Sequence, residues 1–346
     1  MIAPEDLAHC RASIRTGSLS FHAASRLLPP RVRDPALALY AFCRLADDEV
    51  DEGAEKGRAV LLLRDRLELV YDGRPRNAPE DRAFAALVDE FDMPRTLPEA
   101  LLEGLAWDAT GRQYRTLSGV KDYSARVAAA VGAMMCVLMR VREPDTLARA
   151  CDLGLAMQLT NIARDVGEDA RAGRLYLPLD WLEEEGVEPR LFLNRPVFDP
   201  RIGRLTRRLL EEADILYRRA AAGVSALPID CRPGIYAARC IYAGIGAAVA
   251  RNGYDSVTRR AHTGKAAKVG WLGLAVGQTA ASTVMPRAAR LHAAPAPEVA
   301  YLVAAAAHEP ASRGRAEALI AVLSQLEAQD RRRRNIEGAS LSRSMF

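Results

Sequence analysis

Apolar side chains return every three to four positions over most of this chain, the period of helices that bury one face. In residues 34–51, Leu37, Tyr40, Ala41, Arg44, Leu45 and Asp48 share overlapping faces. Residues 60–71 are amphipathic and stop at Asp72-Gly73, a helix-ending pair. Residues 97–108 open with Pro98 and Glu99, both suited to a first turn. Residues 123–140 are apolar nearly all round, so that helix is expected to be buried. Further helices are predicted over 147–166, over the charge-rich 202–227, and over 236–257 after the turn-like CRPG of 231–234. Prolines mark loops at 27–35, 73–79, 185–200 and 289–298. Strand-like alternation and tandem repeats are both missing.

Composition agrees with an all-α chain. Ala and Leu dominate and aromatics make up only 6%, so strong helix formers outnumber β formers. With 346 residues the chain can bury a large core. We read one helical domain over 1–290, with 291–346 as a C-terminal helical appendage of the same domain. The net charge of +4 is too small, and Arg-aromatic interleaving too sparse, for a nucleic-acid partner. The basic run at 331–334 reads as a solvated helix end with a weak attraction to an anionic membrane surface. Six cysteines without CxxC spacing read as free thiols in a reducing, cytoplasmic setting. The opening MIAPEDLAHC carries Glu5 and Asp6 and is not built like a secretory signal. The longest apolar runs, 127–139 and 270–276, fall short of the roughly 20 residues a membrane span needs.

Charge is concentrated in two places. LADDEVDEG (45–53) puts five carboxylates into the seven positions from Asp47 to Gly53. QLTNIARDVGED (158–169) carries a second cluster. Asp47 and Asp51 are four apart, as are Asp165 and Asp169, so each pair shares one helix face. One such pair is usually a solvated face. Two pairs in apolar helical settings, each beside an arginine (Arg44, Arg164), suit a hard divalent cation that keeps phosphate oxygens in its shell. Arg174 follows the second pair, and arginine pairs bidentately with phosphate. Asn161 lies one turn before Asp165 and can ligate metal or donate to phosphate; Gln158 lies a turn further back. The apolar helix at 123–140 reads first as core, and also as one wall of a long pocket where Gly132 and several alanines leave room.

Other chemistries lack their parts. No Glu-x-x-His pair supports a di-iron bundle, and no Cys or His spacing supports zinc. No glycine-rich phosphate loop, dinucleotide fingerprint or nucleophile elbow is present.

Over about residues 10–290 the chain resembles the squalene/phytoene synthase family, most of all its bacterial phytoene-forming members. The matching pieces are SLSFHAASRLLP (18–29), LYAFCRLADDEVD (39–51), YRTLSGVKDYSARVAAAVG (114–132), QLTNIARDVGEDARAGRLYLP (158–178) and ARCIYAGIGAAVARNGYDSVTRR (238–260). The resemblance implies an isoprenoid-synthase (class I terpenoid synthase) helical fold, with two aspartate-rich helices lining a central cavity. It implies Mg²⁺ or Mn²⁺ held by Asp47, Asp48, Asp51, Asn161, Asp165 and Asp169. Ser18, Ser20, Arg44, Gln158, Asn161, Arg164, Arg174 and Arg259 are then expected to serve diphosphate or metal. Phe21, Tyr40, Tyr123, Val127, Val131, Tyr176 and Tyr242 are expected to line the prenyl cavity.

The implied reaction is head-to-head condensation of two geranylgeranyl diphosphates to phytoene through a cyclopropylcarbinyl diphosphate, with no NADPH. A squalene-, dehydrosqualene- or hydroxysqualene-forming enzyme using farnesyl diphosphate is the alternative, and a non-catalytic relative the second. A forty-carbon product would be nearly insoluble in water, so peripheral membrane contact is expected, together with contact to other carotenoid enzymes. Two positions depart from the family pattern. Leu19 stands where many members have Lys or Arg, so one expected diphosphate contact is missing. Ala129 stands in place of a glycine and is expected to reshape the pocket.

Overall fold

In the computed structural model, residues 1–52, 56–285 and 287–308 are described; the side chains of 51, 52, 56 and 265 are not. The expected basic run at 331–334 lies outside the described residues. Helices form the whole framework, and the described residues contain no strand. In chain order they are α1 (Pro4–Gly17), α2 (Leu19–Ser25), α3 (Pro30–Glu52), α4 (Lys56–Tyr71), α5 (Pro79–Phe91), α6 (Thr96–Ala109), α7 (Leu117–Ser124), α8 (Ala130–Leu138), α9 (Pro144–Arg171), α10 (Leu179–Glu184), α11 (Pro189–Asn194), α12 (Pro200–Val224), α13 (Arg232–Arg251), α14 (Lys265–Val284) and α15 (Ala300–Ala307). Residues Met1–Ala307 form one compact unit.

α9 is the axis of the bundle. Leu147, Cys151, Leu155, Leu159, Ile162 and Val166 recur at helical spacing and are buried beneath α12, α13, α8 and α15. Each buried leucine contributes about 1.5–3 kcal/mol relative to exposure, which is why so long a helix needs no special cap at its N-terminus. The stretch expected as one helix at 123–140 stays helical through Leu138 but carries a π-turn within it. This turn, Ala125–Ala129, lies between α7 and α8 and swings Val127 toward the cavity described below. Gly132 does border that cavity, but its missing side chain matters for packing. A Cβ there would stand 2.6 Å from the Ala150 carbonyl oxygen, so α8 and α9 could not approach as they do. Ala129 points away from the cavity lining and is fully buried against α9, so its extra methyl fills a helix–helix contact instead of reshaping the pocket.

Several helix ends differ from the sequence reading, and three of the differences have a clear local cause. The proline-rich 27–35 is not all loop. Pro30 opens α3, where its missing N–H costs nothing, and Pro35 sits inside the helix. The 185–200 loop contains the short α11, capped by the Glu188 carboxylate. α13 stops at Arg251 instead of 257 because Gly253 and Tyr254 take positive φ (68° and 61°), turning the chain back. The loop that follows is the one that returns a basic residue to the site.

Buried charge ties the end of this unit down. Arg149 and Asp152 are both fully buried on α9 and form an ion pair at 2.8 Å; Arg219 of α12 donates to the same carboxylate at 3.0 Å. The guanidinium of Arg149 donates to the Arg290 carbonyl at 2.8 Å, and that of Arg219 to the Ala294 carbonyl at 2.8 Å. These bonds hold the segment around the 3-10 turn Ala289–His292 against the bundle.

Candidate active site

A cavity of about 1100 Å³ runs between α2, α3, the π-turn and α8, α9 and α13. Its polar end is built largely by two helices. α3 presents Tyr40, Arg44 and Asp47; α9 presents Gln158, Asn161, Arg164, Asp165 and Asp169. The α9 set follows the spacing of one helix face, as the sequence requires. Arg174 and Tyr176 arrive from the turn after α9, whose Gly173 has φ 75°. Ser18, Ser20 and Phe21 border the cavity from α2, where Ser18 caps the helix by accepting from the Phe21 N–H at 3.3 Å. Tyr123, Val127, Val131 and Tyr242 line the apolar part.

The two ends of the second motif differ in charge state. Burial works to raise the Asp165 pKa, yet two guanidiniums outweigh it and hold the carboxyl below its usual range. Arg164 Nε donates to Asp165 Oδ1 at 2.8 Å, and Arg260 Nε to the same oxygen at 2.8 Å. Asp169 goes the other way. Burial, then the Asp165 charge, push it up to about 7 against the pull of Arg174. The Asn161 side-chain amide donates to Gln158 Oε1 at 3.3 Å, while its own Oδ1 is buried without a hydrogen-bond partner. Burial also pushes the Cys43 thiol up to about 12, so this cavity cysteine stays protonated. All six cysteines are free.

Several expected residues fall elsewhere. Asp48 turns out of the cavity into a shallow surface groove beside Glu49 and Glu80, where Arg44 Nε donates to it at 2.9 Å. One helical position separates it from Asp47, about 100° of rotation, so the two cannot face the same way. The Asp51 side chain lies outside the described residues. Arg259 is exposed beside Asp255 and does not border the cavity; its neighbour Arg260 does, bonding Asp165 and lying 3.1 Å from Glu168. Gly167 explains the choice. The Val257 backbone presses directly onto it, and the Gly167 N–H donates to the Ser256 carbonyl at 3.0 Å, which fixes the register of the 255–260 loop. Leu19 is 68% exposed at the cavity rim.

One residue of the site had no signal in the sequence. Asp108, at the end of α6, accepts the Tyr123 hydroxyl at 2.7 Å and the Tyr176 hydroxyl at 2.6 Å. Both rings stack, with centroids 5.0 Å apart. Burial first and Asp108 next raise the Tyr123 pKa well above its usual value, so both hydroxyls remain donors. Elsewhere in the lining Phe21 lies 5.3 Å from Tyr242 and 6.4 Å from Tyr40. The cavity thus has a charged mouth and an aromatic and aliphatic interior.

The sequence model of squalene/phytoene synthases matches residues 14–267, which hold the aspartates and arginines of this mouth. The chain belongs to the squalene/phytoene synthase family. Among its relatives in that family, a protein named phytoene synthase from Cereibacter sphaeroides is 70% identical over 341 residues, 96% of each chain. Another so named, from Rhodobacter capsulatus, is 66% identical over 334 residues, 96% of this chain and 98% of the relative. Among solved structures, a dehydrosqualene synthase in complex with a ligand superposes with a TM-score of 0.73 at 31% identity, covering 80% of this chain and 97% of that one. A squalene synthase from Alicyclobacillus acidocaldarius, at 24% identity and TM-score 0.66 over 72% and 95% of the chains, shares the fold. The fold is therefore the isoprenoid-synthase helical fold expected from the sequence.

Proposed function

We propose that the chain is a phytoene synthase, a prenyltransferase that joins two geranylgeranyl diphosphates head to head. The observation that carries the reaction class is the division of one cavity into an Asp- and Arg-rich mouth and a long apolar interior. The choice of the C20 substrate over C15 is supported by the near-full-length similarity to two proteins named phytoene synthase.

A divalent cation fits the mouth. Asn161 Oδ1 is buried without a partner, and Asp169 carries a carboxyl that a cation would restore to its charged form. Among the described residues no three His, Cys, Asp or Glu converge to hold an ion by themselves, so substrate oxygens are expected to complete its shell. Asp47, Asn161, Asp165 and Asp169 are the residues that would hold it, with Asp51. Mg²⁺ or Mn²⁺, when bound there, supplies Lewis-acid charge to the diphosphate oxygens.

The protein's own groups do the rest. Arg44, Arg164, Arg174 and Arg260 present guanidiniums to the leaving diphosphate, so the first prenyl chain ionises to an allylic cation. The alkene of the second substrate attacks, and loss of a proton closes a cyclopropane. The resulting cyclopropylcarbinyl diphosphate ionises in turn, rearranges, and loses a proton to give the central double bond. Two diphosphates and two protons leave; no hydride is consumed. Apolar walls keep water from the cations. The faces of Tyr40, Tyr123, Tyr176 and Tyr242 can stabilise them, by roughly 0.5–2 kcal/mol per cation–π contact. Asp108 keeps Tyr123 and Tyr176 in fixed orientation while this happens.

No described helix is long and apolar enough to cross a membrane. The insolubility of a C40 hydrocarbon supports a peripheral membrane position on the cytoplasmic side, near the enzymes that consume it. A product assay tests the main reading. Purified protein with Mg²⁺ and without NADPH is given geranylgeranyl or farnesyl diphosphate separately. Phytoene from the C20 substrate is the expected outcome; hydrocarbon from the C15 substrate alone would move the chain to the squalene-like branch.

A further inference from the structure

α14 is an unusual surface helix. Between Lys268 and Val284 it contains no charged residue, yet much of it faces solvent. Val269 (67%), Leu274 (51%), Val276 (54%) and Val284 (86%) stand exposed around the broad outer half of the helix, and Met285 (68%) follows them. The other side of the helix is anchored on α13. Ala275 is fully buried, Trp271 packs over Gly244, and Arg232 donates to the Ser282 carbonyl at 3.2 Å. The exposed apolar face is therefore the outer face of a packed helix, where a helix in water carries charge.

The charge around it is one-sided. The chain has 44 acidic residues, but none falls between Asp255 and Glu298. Lys268 flanks the apolar face at one end; Arg287 and the exposed Arg290 flank it at the other. An apolar face bracketed by cations and free of carboxylates is the pattern of a helix lying in the interface of an anionic bilayer. A second copy of this chain is a poorer partner, because pairing two α14 helices would bring like charges together. Lys268, His262 and Thr263 also border the cavity, as does the exposed Leu19. The N-terminal end of α14 therefore lies at the cavity.

We infer that the exposed face of α14 is the membrane-docking surface, seated on anionic lipid with the cavity beside its N-terminal end. This rests on the peripheral-membrane reading above and assigns it to one helix. Leu19 fits the same picture: at the rim, an apolar side chain in place of a basic one extends the surface that meets lipid.

Flotation with lipid vesicles tests it, comparing the full chain with the double variant Leu274→Glu, Val276→Glu. Neither residue touches the cavity, so turnover in detergent micelles should match wild type. Wild type is expected to float with phosphatidylcholine/phosphatidylglycerol vesicles and far less with phosphatidylcholine alone. The double variant is expected to lose at least tenfold of its bound fraction. If the variant floats like wild type, α14 is not the surface, though membrane binding stands. If wild type never floats, both readings fall. If wild type self-associates without lipid and the variant is monomeric, the face belongs to a second copy and the inference is overturned. An environment-sensitive dye on Val276→Cys gives an independent reading. A blue shift with anionic vesicles is expected, and unchanged emission would refute the docking even if the glutamate pair failed to fold.

Discussion

Gly167 lies between the two aspartates of the second motif, and replacing it with alanine should damage the site without touching any charged group. A Cβ at 167 would stand 2.6 Å from Val257 Cα and 2.8 Å from its carbonyl carbon, and nearer still to the carbonyl oxygen. All three are backbone atoms, so no flexible side chain can yield. Carbon atoms pack best at about 3.5–4.0 Å, so the 255–260 loop must retreat by about 1 Å. That movement breaks the Gly167 N–H bond to the Ser256 carbonyl and withdraws Arg260 from Asp165, where its Nε and Nη2 now sit at 2.8 and 3.3 Å. Overpacking of this kind costs about 1–3 kcal/mol of stability. A displacement of about 1 Å near reacting groups lowers turnover by roughly a hundredfold. Denaturant unfolding and steady-state assays on geranylgeranyl diphosphate measure the two effects separately. A Gly167→Ala protein with wild-type stability and wild-type kcat/KM would refute the argument that this glycine sets the position of Arg260.

Three further outcomes are expected. Arg260→Ala should raise KM for the diphosphate at least tenfold while Arg259→Ala stays near wild type; equal losses would mean that both arginines reach substrate. Asp108→Asn keeps the shape but removes the charge that accepts two phenols, so kcat should fall tenfold or more and water-quenched prenyl alcohols should appear among the products. Unchanged turnover would show that the tyrosines need no such anchor. In the metal-free protein, Asp169 is raised to about 7 from an unfolded value near 3.8, so the folded state binds the extra proton between those two values. Its contribution to stability therefore declines as pH rises through that window and is level above it. Asp169→Asn should be more stable than wild type at pH 8, not at pH 4, and inactive; an equal difference at both pH values would dispose of the burial argument.

The sequence disclosed what depends on local spacing. The acidic pairs on α3 and α9 could be placed on helix faces because i and i+4 positions coincide in any helix. The mouth residues Asp47, Asn161, Asp165 and Asp169 followed from that. What it could not disclose depends on loops and on crossings between elements. Asp48 and Asp47 look equivalent as letters, and only the rotation of α3 separates a cavity group from a surface ion pair. Arg259 and Arg260 differ by one position in a loop without period, and the register there is set by contact with Gly167, far away in sequence. Asp108 is a single carboxylate at a helix end, and its meaning comes entirely from two tyrosines brought to it by other elements. The π-turn was invisible because its residues are ordinary helix formers.

The buried Arg149–Asp152–Arg219 cluster limits how this protein can be divided. The match to the family's sequence model ends at residue 267, and a natural choice for a minimal fragment would stop soon after. Such a cut would remove the carbonyls of Arg290 and Ala294, the acceptors for the buried guanidinium of Arg149 and the half-buried one of Arg219. Losing a hydrogen bond from a charged donor costs about 1.5–3 kcal/mol each, a sizeable share of what holds most domains folded. The segment through Ala307 is thus indivisible from the catalytic body, and a useful truncation begins only beyond it.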